Sequence, residues 1–151
     1  MKKALLLFLL VSVSGFSQNK NVDSLKSVLA KTTDQRHRFT IINEILVTTD
    51  GYQGEELDTT ACLTLLKIAR QQKDDAMLAT SYNWIGYYFW QEKGDDSAAL
   101  DYYFKALPLA EKVSDKRRIS SLCFDIANVY GSLKNQEQAY RFVSRGGKNL
   151  P

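Results

Sequence analysis

Apolar positions recur every three or four residues along most of this chain, which is the spacing of one buried helix face. No stretch sustains the alternation of a half-buried strand. The pattern predicts a short helix over Ser24 to Lys31 with Asp23 as its N-cap and Leu25 and Leu29 on one side. A second helix opens at Thr33 or Asp34, runs through Phe39, Ile42, Ile45 and Leu46 and stops near Thr48, before the turn cluster Asp50-Gly51 and Gly54. A third, from about Glu56 to Gln72, places Leu57, Ala61, Leu65 and Ala69 at helical spacing and ends at Lys73-Asp74-Asp75. The fourth, Ala76 to Glu92, sets Leu78, Tyr82, Ile85 and Phe89 along one stripe, and Gly94 stops it in the left-handed conformation. The fifth, about Asp96 to Val113, alternates small and large residues at Ala99, Tyr103, Ala106 and Ala110. Pro108 lies inside it and predicts a kink near Lys105 to Pro108. Two more follow, about Lys116 to Leu133 and Gln136 to Arg145, with Asn135 in the turn between them. The expected fold class is all-α.

The stripes repeat. Tyr82, Ile85-Gly86, Phe89, Ala99, Tyr103 and Ala106 return as Cys123, Ile126-Ala127, Tyr130, Ala139, Val143 and Gly146, with Gly86 to Ala127 spanning 41 positions and Ala99 to Ala139 spanning 40. A period of this length in helical hairpins means a solenoid. Each unit must stack on a neighbour to bury its apolar face, and the array then offers a surface to another molecule. Gly86, Ala99, Ala106, Ala127 and Ala139 permit close backbone approach, and Tyr82, Phe89, Tyr103 and Tyr130 fill the space around them. Replacing Ala99 or Ala106 by Leu should overpack the crossing by roughly 1–3 kcal/mol, and urea midpoints equal to the parent's would show the register to be wrong.

At these residues the chain resembles the tetratricopeptide repeat (TPR) family. Residues 82 to 106 match its large residue, Leu-Gly pair, aromatic, Ala, aromatic and Ala, with Tyr82 for the usual Trp and one extra residue between Phe89 and Gly94. Residues 123 to 146 match less closely, with Gly146 in place of the second Ala, and residues 39 to 69 match in outline. The resemblance implies a helical-hairpin solenoid of about three repeats behind a short helix. It divides the chain into an N-terminal helix (18–33), a degenerate repeat (34–75), a repeat at 76–115 and an apparently incomplete one at 116–151. It also implies that the first helix of each hairpin lines the binding face, so the candidate partner contacts are Thr80, Asn83, Tyr87 and Trp90 in one repeat and Ser121, Phe124, Asn128 and Gly131 in the next. The exported start, short Asp-Ser-Leu helix and repeats are similar to the extracytoplasmic N-terminal regions of bacterial sensor kinases and helix-turn-helix regulators. That similarity implies a protein or peptide interaction module with a sensory role. The alternative is a self-associating scaffold or adaptor subunit. The last repeat, lacking its final turns and a polar capping helix, is expected to be an interrupted version of a longer array or an adaptor whose last hairpin pairs with another chain.

Composition changes the picture at the start of the chain. Met1-Lys2-Lys3, the ten apolar or small residues Ala4 to Val13, and Ser14-Gly15-Phe16-Ser17-Gln18 read as a cleavable export signal cut after Ser17. Ten residues are half of the roughly twenty that a bilayer span requires. Removing 17 of the 151 residues leaves 134, and the formal charge falls from +3 to +1 with the loss of Lys2 and Lys3. A near-neutral chain with interspersed signs lacks the footprint of a nucleic-acid binder, and no other stretch is apolar enough to span a membrane. The expected location is periplasmic or extracytoplasmic.

Catalytic chemistry has little support. His37 lies in Arg36-His37-Arg38, a solvated helix face. Glu55-Glu56 and Asp58 lack the alternating oxygen-ligand spacing of a calcium loop and suit a helix start. No phosphate loop, metal-spaced Cys/His set or nucleophile motif occurs. Cys62 and Cys123 both fall on apolar helix positions separated by an intervening hairpin, which predicts two buried free thiols. No enzyme activity, metal or cofactor is expected.

Overall fold

The computed structural model describes residues 21–50 and 59–149. The export signal, the Asp50-Gly51/Gly54 cluster and the acidic run at Glu55, Glu56 and Asp58 lie outside the described residues or at their edge. Within them the chain is all helix: α1 (21–31), α2 (Gln35–Asp50), α3 (Thr59–Gln72), α4 (Asp75–Gln91), α5 (Asp96–Lys112), α6 (Lys116–Ser132) and α7 (Gln136–Gly147). Two compact units divide it, Met1–Glu55 and Glu56–Pro151, so α2 and α3, expected as one hairpin, fall in different units.

In the first unit α1 already includes Asn21 and Val22, which corrects the expectation that Asp23 caps it; Val22 is buried, and burial of an apolar side chain outweighs a cap preference. Asp34 caps α2, its carboxylate accepting the His37 backbone N–H at 2.7 Å. The Arg38 guanidinium then reaches back and donates to the carbonyls of Leu29 (3.0 Å), which also accepts the Thr32 N–H, and Thr32 (2.9 Å), tying the start of α2 to the end of α1. Phe39, Ile41, Ile42 and Leu46 are the buried side chains of α2.

The second unit is a repeat-like stack in which each helix packs on the next, α3 on α4, α4 on α5, α5 on α6 and α6 on α7, with α4 also touching α6. One turn design joins them. Lys73, Gly94, Ser114 and Lys134 each take positive φ (51°, 61°, 56° and 57°), and the next residue, Asp74, Asp95, Asp115 or Asn135, caps the following helix by accepting a backbone N–H three residues on. Asp74, Asp115 and Asn135 also donate their N–H to the carbonyls of Ala69, Ala110 and Tyr130, closing paired Schellman bonds with those of Lys73, Ser114 and Lys134. At the turn between α4 and α5, Asp95 reaches one residue further back, to Phe89 at 2.9 Å, and so absorbs the extra residue between Phe89 and Gly94.

Ala99, Tyr103, Ala106 and Ala110 of α5 are all fully buried, in one cluster with Ile119, Leu122, Cys123, Ile126 and Val129 of α6. α5 is continuous through Pro108 to Lys112, with the buried Leu107 and Ala110 on either side of the proline. The Lys112 ammonium pairs with Asp75 at 2.6 Å across the α4–α5 hairpin, and Ser132 donates to Asp96 at 2.9 Å across α5 and α6. Of the second stripe, Cys123, Ile126, Ala127 and Gly146 are buried as expected, Ala139 is half-buried, and Val143 is exposed. Val143 is the correction: α7 packs chiefly on α6, with Phe142 also meeting Phe104 of α5, and Val143 is left exposed. Cys62 and Cys123 are both buried, and among the described residues neither forms a disulfide.

Candidate partner-binding face

α4 and α6 are the first helices of the last two hairpins, the elements that the resemblance implied would line a binding face, and a polar bond joins them. The Asn83 amide donates to the Asp125 carboxylate at 3.0 Å, linking residues 42 apart in sequence. Beside Asn83 on α4 a row of aromatics follows at intervals of three residues: Trp84, Tyr87 and Trp90. Their rings meet edge to face, Trp84 with Tyr87 at 6.0 Å and 90° and Tyr87 with Trp90 at 6.2 Å and 69°. That geometry sets the positive edge of one ring against the negative face of the next and is favourable beyond area burial alone. All three are half-buried, and Trp90 also packs on the α5–α6 core cluster.

On α6, Arg118 sits one turn inside the Asp115 cap, its Nε 3.6 Å from that carboxylate. Burial lowers the Arg118 pKa below the ordinary guanidinium value, and the neighbouring Asp115 and Asp125 oppose that shift. Among the described residues the Arg118 Nε has no hydrogen-bond partner. Asp125 therefore stands between an amide donor from α4 and a desolvated cation from its own helix.

The sequence candidates are distributed unevenly. Tyr87 and Trp90 are brought together as a pair, and Asn83 is drawn into the bond with Asp125. Asn128, Ser121 and Gly131 are exposed. Thr80 is turned inward at 6% exposure, its hydroxyl donating to the Ala76 carbonyl at 2.9 Å. Phe124 is half-buried with its ring edge 3.4 Å from where a Cβ on Gly146 would stand, so it lies against α7. The reason for Thr80 is that α4 packs on α3, α5 and α6, which widens its buried arc beyond one stripe.

Sequence reasoning missed Trp84, Asp125 and Arg118. Trp84 was detectable, as the first member of a three-residue aromatic spacing. Asp125 gave no signal, because its partner Asn83 lies on another helix. The surface has the means to hold a peptide: aromatic side chains that order at small entropic cost, and Asn amides that both donate and accept as a peptide backbone does. Among the described residues no group of three or more His, Cys, Asp or Glu side chains could hold a metal ion, and no helix is long and apolar enough to cross a membrane.

No protein-family model matches the sequence, and no curated protein matches it at significant similarity.

Proposed function

We propose that this chain is an exported repeat protein of the TPR type that captures a protein or peptide segment along the α4–α6 face, as the extracytoplasmic input part of a signalling protein. The observation that carries this reading is the Trp84–Tyr87–Trp90 row set beside the Asn83–Asp125 bond, on the first helices of successive hairpins. Export rests on the basic start, the ten-residue apolar run and the small residues before Gln18. The sensory role rests on the resemblance of the exported start, short Asp-Ser-Leu helix and repeats to the extracytoplasmic N-terminal regions of bacterial sensor kinases and helix-turn-helix regulators.

Capture by the full chain from a periplasmic extract, with identification of what is retained, tests the binding face. A discrete partner should be retained at least about tenfold better by the parent than by a Tyr87→Ala/Trp90→Ala variant of unchanged helicity, since interface hot spots, in which Trp and Tyr are enriched, each cost about 2 kcal/mol or more when truncated. Equal recovery overturns the assignment of this face. N-terminal sequencing of the protein from its native source tests export: a start at Gln18 supports it, and an intact Met1 in the cytoplasmic fraction overturns it.

A further inference from the structure

The last two second-type helices, α5 and α7, share one register, with their caps Asp95 and Asn135 forty positions apart. Leu100, Tyr103 and Leu107 of α5 correspond to Tyr140, Val143 and Gly147 of α7. On α5 this stripe belongs to the cluster shared with α6: Tyr103 is 0% exposed, Leu107 is 4% exposed, and Leu100 packs alongside. On α7 Tyr140 is 77% and Val143 45% exposed, and nothing stands within 4 Å of where a Gly147 Cβ would be. The face through which α5 accepts a helix is thus open on α7 among the described residues. An open depression of about 800 Å³ adjoins it, with Phe104, Tyr130 and Phe142 in its lining beside Tyr140.

Charge narrows what fits. Arg141 and Lys148 border this face, are exposed and have no ion-pair partner among the described residues, whereas Arg145 is paired with Glu111. Glu137 is the one acidic residue of α7. A second copy of this chain is a poor match. Of its first-type helices, α2 and α6 begin with Arg36-His37-Arg38 and Lys116-Arg117-Arg118, α4 with its acidic start is packed among α3, α5 and α6, and pairing α7 with its own copy sets Arg141 and Lys148 of both chains in one interface.

We propose that the open α7 face docks an amphipathic helix of a second protein, carrying an apolar i, i+3, i+7 stripe as Ile119, Leu122 and Ile126 do in α6, with Asp or Glu on its flanks opposite Arg141 and Lys148. The docking continues the α5–α6 stacking by one helix. It is a separate surface from the α4–α6 face, so either can fail without the other.

The test uses the full chain and two fluorescein-labelled designed helical peptides of about twenty residues, with identical Leu stripes and either Glu or Lys flanks. The Glu peptide should bind at least about tenfold more tightly than the Lys peptide and weaken as salt is raised. Arg141→Glu/Lys148→Glu should invert the preference, Val143→Asp should abolish binding of both, and Lys67→Glu, at an exposed position of α3, should leave both unchanged. Circular dichroism verifies that each variant keeps its helices, which is expected because the substituted α7 side chains are exposed. Equal affinity for the two peptides, no binding of either, or an unchanged preference in the Arg141→Glu/Lys148→Glu variant overturns the proposal. So does a dimer, seen by sedimentation, that Val143→Asp breaks, because that would give the face to a second copy.

Discussion

The hairpins α4–α5 and α6–α7 solve the same packing problem from opposite sides. Each needs a small residue where the two helices cross. In α4–α5 it is on the first helix: a Cβ added to Gly86 would stand 2.7 Å from both Cδ1 and Cε1 of the fully buried Tyr103 and 3.2 Å from the Ala99 carbonyl. In α6–α7 it is on the second: a Cβ on Gly146 would stand 3.1 Å from the Cys123 Cβ and 3.3 Å from the Ser120 carbonyl. Their counterparts reverse, with Ala127 in place of Gly86 and Ala106 in place of Gly146, and the large Tyr103 is replaced by the exposed Val143. What the array preserves is the close approach, while the helix that supplies the gap is free to change. Gly146, which departs from the repeat signature, is therefore a structural equivalent of Gly86 and no defect in the pattern.

Exchanging the two solutions is the strongest way to break this comparison. Tyr103→Val empties a sealed site and should cost roughly 2–4 kcal/mol in urea denaturation. Gly86→Ala should cost less, since overpacking of roughly 1–3 kcal/mol is partly offset by the helix preference of Ala over Gly, about 1 kcal/mol. The double variant recreates the Ala127/Val143 pairing in the first hairpin. Its loss should fall short of the sum of the singles by at least about 1 kcal/mol. Strict additivity would mean that Gly86 does not exist to admit the Tyr103 ring.

Much of this architecture was legible in the chain. The positions of α2 to α7 follow from apolar spacing and turn residues, and the stop at Gly94 from the glycine itself. Burial was legible only where a helix has the expected number of neighbours. α4 touches three helices and hides Thr80 and Ser81 besides its stripe, while α7 rests chiefly on one and leaves Val143 in the open. A one-dimensional stripe cannot report how many partners a helix will find. The Asn83–Asp125 bond was illegible for the same reason, since its ends lie 42 residues apart on helices that meet only in the stack.

The turns supply the next test. Gly94 takes its left-handed conformation without strain, whereas Lys73, Ser114 and Lys134 carry side chains at φ of 51° to 57°, held there by Schellman bonds and the cap that follows. Ser114→Gly between the hairpins and Lys134→Gly within the second should each relieve steric strain of roughly 1–2 kcal/mol, less what the more flexible glycine loses on folding, for a net gain of about 0.5–1 kcal/mol. Gly94→Ala should lose a similar amount by the reverse argument. A thermal midpoint unmoved by Ser114→Gly would show that the side chain has an interaction outweighing its backbone strain.

Smaller still is the effect expected at Gly146. Its added Cβ meets Cys123 at 3.1 Å rather than an aromatic ring at 2.7 Å, and α7 has the freedom of a helix with one main neighbour. Gly146→Ala should therefore fall within about 1 kcal/mol of the parent, because propensity and crowding nearly cancel. A loss as large as that of Gly86→Ala would make the two crossings equally rigid.

The faintest signal comes from the thiol beneath Gly146 and vanishes at neutral pH. Burial pushes the Cys123 pKa up, Arg145 opposes that shift, and Glu111 adds to it. The unfolded chain therefore loses this proton at the ordinary thiol pKa while the folded protein still holds it. Stability contributed by the buried neutral thiol is complete below that pKa and declines as pH rises through it towards the folded value, with a slope bounded by about 1.4 kcal/mol per pH unit for one proton. Cys123→Ala should flatten this alkaline decline whatever its offset at neutral pH, because alanine does not titrate. Equal alkaline slopes in parent and variant would mean that water reaches the sulfur, and that the close approach of Gly146 does not seal the α6–α7 crossing as Tyr103 seals α4–α5.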